Sequence, residues 1–148
     1  MDHVLDLARW APSPDNSQPW RIVTRGERDL RIAIDLEPGN PYQFRGGMPN
    51  WLAAGMFLQS LRLAGARFGW RMVWSLDQEN TEPHLRVSFV DDPAVTVDPL
   101  VHLLKVRSVD RAPYRRTRLS DADKAALTEA LGPGFRLHWR ESLVQRWR

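Results

Sequence analysis

The chain has no cysteine, which removes a disulfide framework, a thiol nucleophile and a thiolate metal site from consideration. Lysine is nearly as scarce: Lys105 and Lys124 are the only two among 21 basic residues, so the positive charge is almost entirely arginine. Arginine grips phosphate and carboxylate bidentately, where lysine offers a point charge. No apolar run reaches the roughly 18–20 residues of a membrane-crossing helix. The first residues also lack the basic-then-apolar layout of a signal peptide, so the default reading is a cytoplasmic protein. A Gly-rich phosphate loop is missing too, since "RGGMP" is too short and sits in the wrong context. His3, His84, His102 and His138 are isolated, without metal-ligand spacing. No nucleophile-base-acid arrangement follows from spacing. Chemistry here would fall to a cofactor, and no catalytic side chain is assigned.

What remains, in 148 residues, is one domain or a piece of a larger one. "DHVLDLARW" has helical spacing and stops at Pro12 and Pro14. "WRIVTR" and "LRIAIDL" predict a hairpin across "GERD", with Leu30, Ile32, Ile34 and Leu36 on one face. The stretch "NWLAAGMFLQSLRLAGARFG" predicts a long helix with Asn50 as N-cap and Gly69 as the stop. Its first half is apolar nearly all round, which suits the centre of a fold or a subunit interface. "WRMVWSL" and "HLRVSFV" predict two further strands, the first showing Trp70, Met72, Trp74 and Leu76 to one side, the second Leu85, Val87 and Phe89. "PLVHLLKVRS" predicts a short helix, and "SDADKAALTEAL" a second one, opened by a capping box from Ser120 to Asp123. "FRLHWR" predicts a strand with Phe135, Leu137 and Trp139 inward. The irregular interleaving of helices with half-polar strands predicts an α+β fold with a mixed sheet. The last residues, "ESLVQRWR", read as a helix that stops after its opening turns, so the C-terminus is expected to be incomplete.

Two segments carry functional signals. In "APSPDNSQPWRIV", Ser13, Asn16, Ser17 and Gln18 offer hydroxyl and amide groups, while Pro12, Pro14 and Pro19 fix the backbone around them. With Trp20 as an apolar wall, such a surface suits a planar heterocycle bearing carbonyls and ring nitrogens. The plain alternative is a polar turn held by its own Asx and Ser bonds. In "VRSVDRAPYRRTRL", Arg107, Arg111, Arg115, Arg116 and Arg118 crowd one arm that leaves its helix before Pro113. Arg107 and Arg111 could clamp a phosphate as two forks; the alternative is a solvated basic surface with Asp110 paired to one arginine.

Together these segments resemble the nitroreductase-like flavoproteins. Their helix-loop-strand reads Pro-Ser-x-x-Asn-x-Gln-Pro-Trp, matched here by Pro12, Ser13, Asn16, Gln18, Pro19 and Trp20. "RSVDRAPY" is similar to the arm that grips the FMN phosphate in that family, and "GGMPNWLAAGMFLQSLRLAGARFGWR" to its long central helix. The resemblance implies a nitroreductase-like α+β fold and FMN as cofactor. It places Pro12, Ser13, Asn16 and Gln18 near the flavin ring and Arg107 and Arg111 near its phosphate. It also implies hydride transfer from NAD(P)H to a nitro, quinone or similar small acceptor. Members are usually homodimers in which this loop reaches the flavin of the neighbouring subunit.

The order of the two segments departs from the ordinary pattern, because the arginine arm follows the Pro-Ser loop. That order is similar to the branch with two nitroreductase-like halves in one chain. Residues 1–106 would then be a first half and 107–148 the start of a second, truncated one, pairing with a missing portion or with a second copy. Val109 stands where the arm usually has a hydroxyl residue. Two other readings remain open: a flavin-binding or storage protein without reductase activity, and, more distantly, a nucleic-acid-binding module using the 107–118 segment, although no nucleic-acid partner is expected.

Overall fold

A computed structural model describes residues 1–36, 44–77, 83–113, 117–132 and 134–140. The chain divides into two compact units, Met1–Ser108 and Val109–Arg148.

The first unit is a four-stranded sheet with helices on one face. Helix α1 spans Asp2–Ala8, strand β1 Trp20–Arg25 and strand β2 Asp29–Ile34. Helix α2 spans Phe44–Ala66, and strands β3 and β4 span Trp70–Asp77 and His84–Asp91. The sheet order is β1-β2-β4-β3. Every pairing among the described residues is antiparallel, so the sheet is not the mixed one expected. The reason lies in the last strand. A β2-α2-β3 crossover delivers β3 parallel to β2, but β4 folds back and slots between them, turning one parallel neighbour pair into two antiparallel ones.

Alternation in the central strands does what period two requires. Leu30, Ile32 and Ile34 of β2 and Leu85, Val87 and Phe89 of β4 are all buried beneath α2, which contributes Ala54, Phe57, Leu58, Leu61 and Ala64. Val4 and Ala8 of α1 close the same core. At Gly65 a Cβ would stand only 2.5 Å from the Phe89 ring, so glycine is what lets α2 lie this close to β4. On the edge strand β3 the pattern has the right phase but runs out of cover. Trp70 and Met72 reach the core, whereas Trp74 and Leu76 project past the helix and are exposed.

Helix α2 departs from expectation at its start. Arg45, Gly46 and Gly47 have left-handed backbone, and regular helix is established only after this kink, with Pro49 in its opening turn, where a missing N–H is tolerated. Asn50 is therefore not the N-cap. It is wholly buried inside the helix, and its Nδ2 donates to the Asp35 carbonyl at 2.8 Å, tying α2 to the end of β2. The first half of α2 is not buried on most sides either. Met48, Leu52 and Met56, spaced four apart on one face, are exposed, because the single unit offers sheet to only one side of the helix. The expected helix in "PLVHLLKVRS" is a 3₁₀ turn over Pro99–Leu103, capped by Asp98 accepting from Leu100 N–H at 2.9 Å.

In the second unit, helix α3 spans Asp121–Glu129 and carries the expected capping box: the Ser120 hydroxyl accepts from Asp123 N–H, and the Asp123 carboxylate accepts from Ser120 N–H. The expected strand at "FRLHWR" is not formed. Residues 135–140 pair with no strand among the described residues, and Phe135, Leu137 and Trp139 are exposed. Alternation makes a strand only where another strand supplies the ladder. The expected helix at "ESLVQRWR" lies outside the described residues.

No helix is long and apolar enough to cross a membrane among the described residues.

Candidate functional site

The polar loop is built as a closed unit before it offers anything to a ligand. α1 ends at Ala8, and Ala11 N–H returns to the Ala8 carbonyl at 2.9 Å. Ser13 is extended; a 3₁₀ turn then covers Pro14–Asn16, held by Asn16 N–H to Ser13 O at 3.1 Å and Ser17 N–H to Pro14 O at 2.8 Å. Asp15, Asn16 and Gln18 all have positive φ, at 45°, 57° and 48°. Aspartate and asparagine tolerate that region better than other non-glycine residues, and three such positions in four residues are a local reservoir of strain. The Ser13 hydroxyl compensates by accepting from Gln18 N–H at 2.9 Å. Buried Pro19 anchors the exit, its carbonyl accepting from Asp35 N–H at 3.0 Å.

The loop's side chains divide in two directions. Trp20 turns inward and stacks on Phe57, with ring centroids 4.5 Å apart and planes 15° from parallel, so it serves the core and is not a ligand wall. Asn16 and Gln18 are exposed and joined by one long bond, Gln18 Nε2 to Asn16 Oδ1 at 3.4 Å. The side-chain N–H groups of Asn16 and the side-chain carbonyl of Gln18 have no other partner among the described residues.

Pro12 lines a cleft of about 310 Å³. Met56, Leu63, Leu100 and Leu103 make its apolar walls, and Arg107 lines it too. Sequence reasoning singled out Pro12 and Arg107 but not Met56, Gln59 or the leucines. Those belong to α2 and to the 3₁₀ turn, and only the docking of one on the other makes them neighbours. A polar chain holds that docking: Arg62 Nε donates to Gln59 Oε1 at 3.0 Å, and the Arg62 guanidinium pairs with Asp98 at 3.4 Å.

Arg107 is positioned by its own bond, Nη2 to the Trp10 carbonyl at 3.0 Å, across 97 positions of sequence. Two residues earlier, Lys105 pairs with Asp6 of α1, and this bond is the main reason the Asp6 carboxyl is held below its ordinary value. The two contacts lay the 3₁₀ turn and its tail along α1. A guanidinium has five N–H donors, so the bond to Trp10 leaves Arg107 able to take an anion.

Arg111 belongs to the second unit and is exposed. Among the described residues Asp110 pairs with no arginine; its carboxylate accepts from Ala112 N–H at 2.8 Å in an Asx turn. Arg115 and Arg116 lie outside the described residues. No three His, Asp or Glu side chains converge as metal ligands among the described residues.

Comparison with protein-family models and with curated proteins finds no match to this chain.

Proposed function

We propose that the chain is a nitroreductase-like flavoprotein that binds FMN and works in NAD(P)H-dependent reduction of a nitro, quinone or similar small acceptor. The observation that carries this reading is the cleft shared by Pro12 and Arg107. Two segments with a flavoprotein-like sequence, far apart in the chain, border one apolar cavity.

The residues present suit the cofactor in kind. The cleft volume lies at the low end of the roughly 300–1,000 Å³ common for small-molecule sites, and its walls suit an aromatic ring system. Arg107, with donors to spare, would hold the phosphate. Asn16 and Gln18 present amides that suit ring carbonyls and nitrogens, and the pinned Ser13–Gln18 turn lets them do so with little loss of chain entropy. FMN supplies the hydride-accepting and hydride-donating chemistry, so the protein's part is to bind, orient and exclude water. Since Asn16 and Gln18 point out from the loop rather than into the Pro12–Arg107 cleft, a homodimer in which each loop serves the partner's cleft accommodates both. The exposed stripe Met48, Leu52 and Met56 is the surface we assign to that contact, because an apolar helix face of this kind is normally covered.

The test is flavin retention. Wild-type protein loaded with excess FMN and desalted should keep a flavin absorbance spectrum, and Arg107→Ala should bind about tenfold or more weakly. A hydrogen bond to a charged group contributes about 1.5–3 kcal/mol. A folded, colourless wild-type protein would overturn the reading.

A further inference from the structure

We propose that the sheet face turned away from α2 holds a phosphate group between Arg31 and Arg86. The two arginines are direct cross-strand partners on β2 and β4, so both side chains rise from one face of the sheet. Directly opposed residues of neighbouring strands have Cβ atoms about 4.5–5.5 Å apart, and like charges there destabilise the pair. An anion lying between the two forks would relieve that repulsion.

The surroundings sharpen the case. Arg31, Arg86 and Arg25 line a cavity of about 560 Å³ together with Asp29, Asp77 and Ser88. The two carboxylates are already engaged: Asp77 pairs with Arg86, and Asp29 accepts from the Ser88 hydroxyl at 2.5 Å. Arg31 is half-buried and has no ion-pair partner among the described residues. Among the described residues no carboxylate offsets its charge, and the neighbouring Arg86 is already paired with Asp77. Three arginines against two aspartates leave the face electropositive where Arg31 sits.

The geometry favours phosphate over carboxylate. One guanidinium fork satisfies both oxygens of a carboxylate, whereas a phosphate monoester carries three terminal oxygens and up to two charges. Two forks rising from adjacent strands match the second. The inferred ligand is a phosphate-bearing small molecule, and the site is separate in residues from the Pro12–Arg107 cleft.

The experiment titrates inorganic phosphate into the ¹⁵N-labelled full chain at constant ionic strength and follows the arginine Nε–Hε signals. The signals of Arg31 and Arg86, assigned through Arg31→Gln and Arg86→Gln, should move together along one saturable curve. In Arg31→Gln the Arg86 response should weaken about tenfold or more, in line with loss of a charge-assisted bond. Signals that stay still, that drift without saturating, or an Arg86 response unchanged in Arg31→Gln would each overturn the proposal. Thermal midpoints give a second reading: phosphate should raise that of wild type by more than that of Arg31→Gln, and an equal rise in both would overturn it. The Arg107 signal in the same spectra reports on the flavin site independently.

Discussion

Residues 84–90 and 135–140 alternate apolar and polar side chains with the same period, and their local patterns are equally strand-like. The first becomes β4, buried between β2 and β3, with Leu85, Val87 and Phe89 under α2. The second stays irregular, with Phe135 at 73% exposure, and in its whole unit no described residue is buried. The lesson concerns what a strand needs. Side-chain alternation sets the face that would be buried, but the ladder and the covering helix come from elsewhere in the chain. β4 has two flanking strands and a roof, while 135–140 has neither among the described residues. Among the described residues the second unit holds the Ser120–Asp123 capping box and the Lys124 ammonium 6.0 Å from the Trp139 ring centroid.

The contrast can be broken most sharply by paired truncations. Phe57→Ala removes a fully buried ring that stacks on Trp20, and urea unfolding should show a loss of about 3–5 kcal/mol. Phe135→Ala should change stability by less than about 0.5 kcal/mol. Comparable losses at both sites would mean that 135–140 is packed after all.

A smaller effect is expected from Gly65→Ala. The added methyl meets the Phe89 ring in a core with no slack, and the cost of such overpacking is about 1–3 kcal/mol. A neutral outcome in the same denaturation assay would show that the Phe89 ring turns aside freely.

The smallest effect is a pH dependence in the second unit. Asp123 is held below its ordinary 3.8, first by the Ser120 hydroxyl and then by the Ser120 backbone N–H. A lowered folded-state value means that the cap is complete above 3.8 and is lost as pH falls through the lowered value. Amide shifts in the first turn of α3 should therefore move at pH below 3.8, with that step absent in Ser120→Ala. A step of unchanged size in Ser120→Ala would show that the box does not set the titration.

Legibility in the sequence followed the range of the interaction. The hairpin of β1 and β2, the inward faces of β2 and β4, and the cap of α3 all rest on neighbours a few residues apart, and periodicity or spacing reveals them. The start of α2 was misread because Asn50 looks like an N-cap in isolation, whereas its amide is claimed by Asp35 in another element. Trp20 was misread for the same reason: its ring is claimed by Phe57. In the candidate site, Pro12 and Arg107 stood out by composition, but their shared cleft depends on the 3₁₀ turn docking against α2.

The amino-acid sequence by itself determined the β1–β2 hairpin, which faces of the central strands would be apolar, the cap of α3, and which loop is rich in hydrogen-bonding groups. These are consequences of local sterics and of side-chain period. Only the tertiary structure decided that β4 would slot between β2 and β3, that Arg31 would face Arg86, and that Pro12 and Arg107 would share a cavity. Each of those pairings joins residues distant in sequence, and their proximity follows from how the helices and strands pack to bury the one apolar face they share.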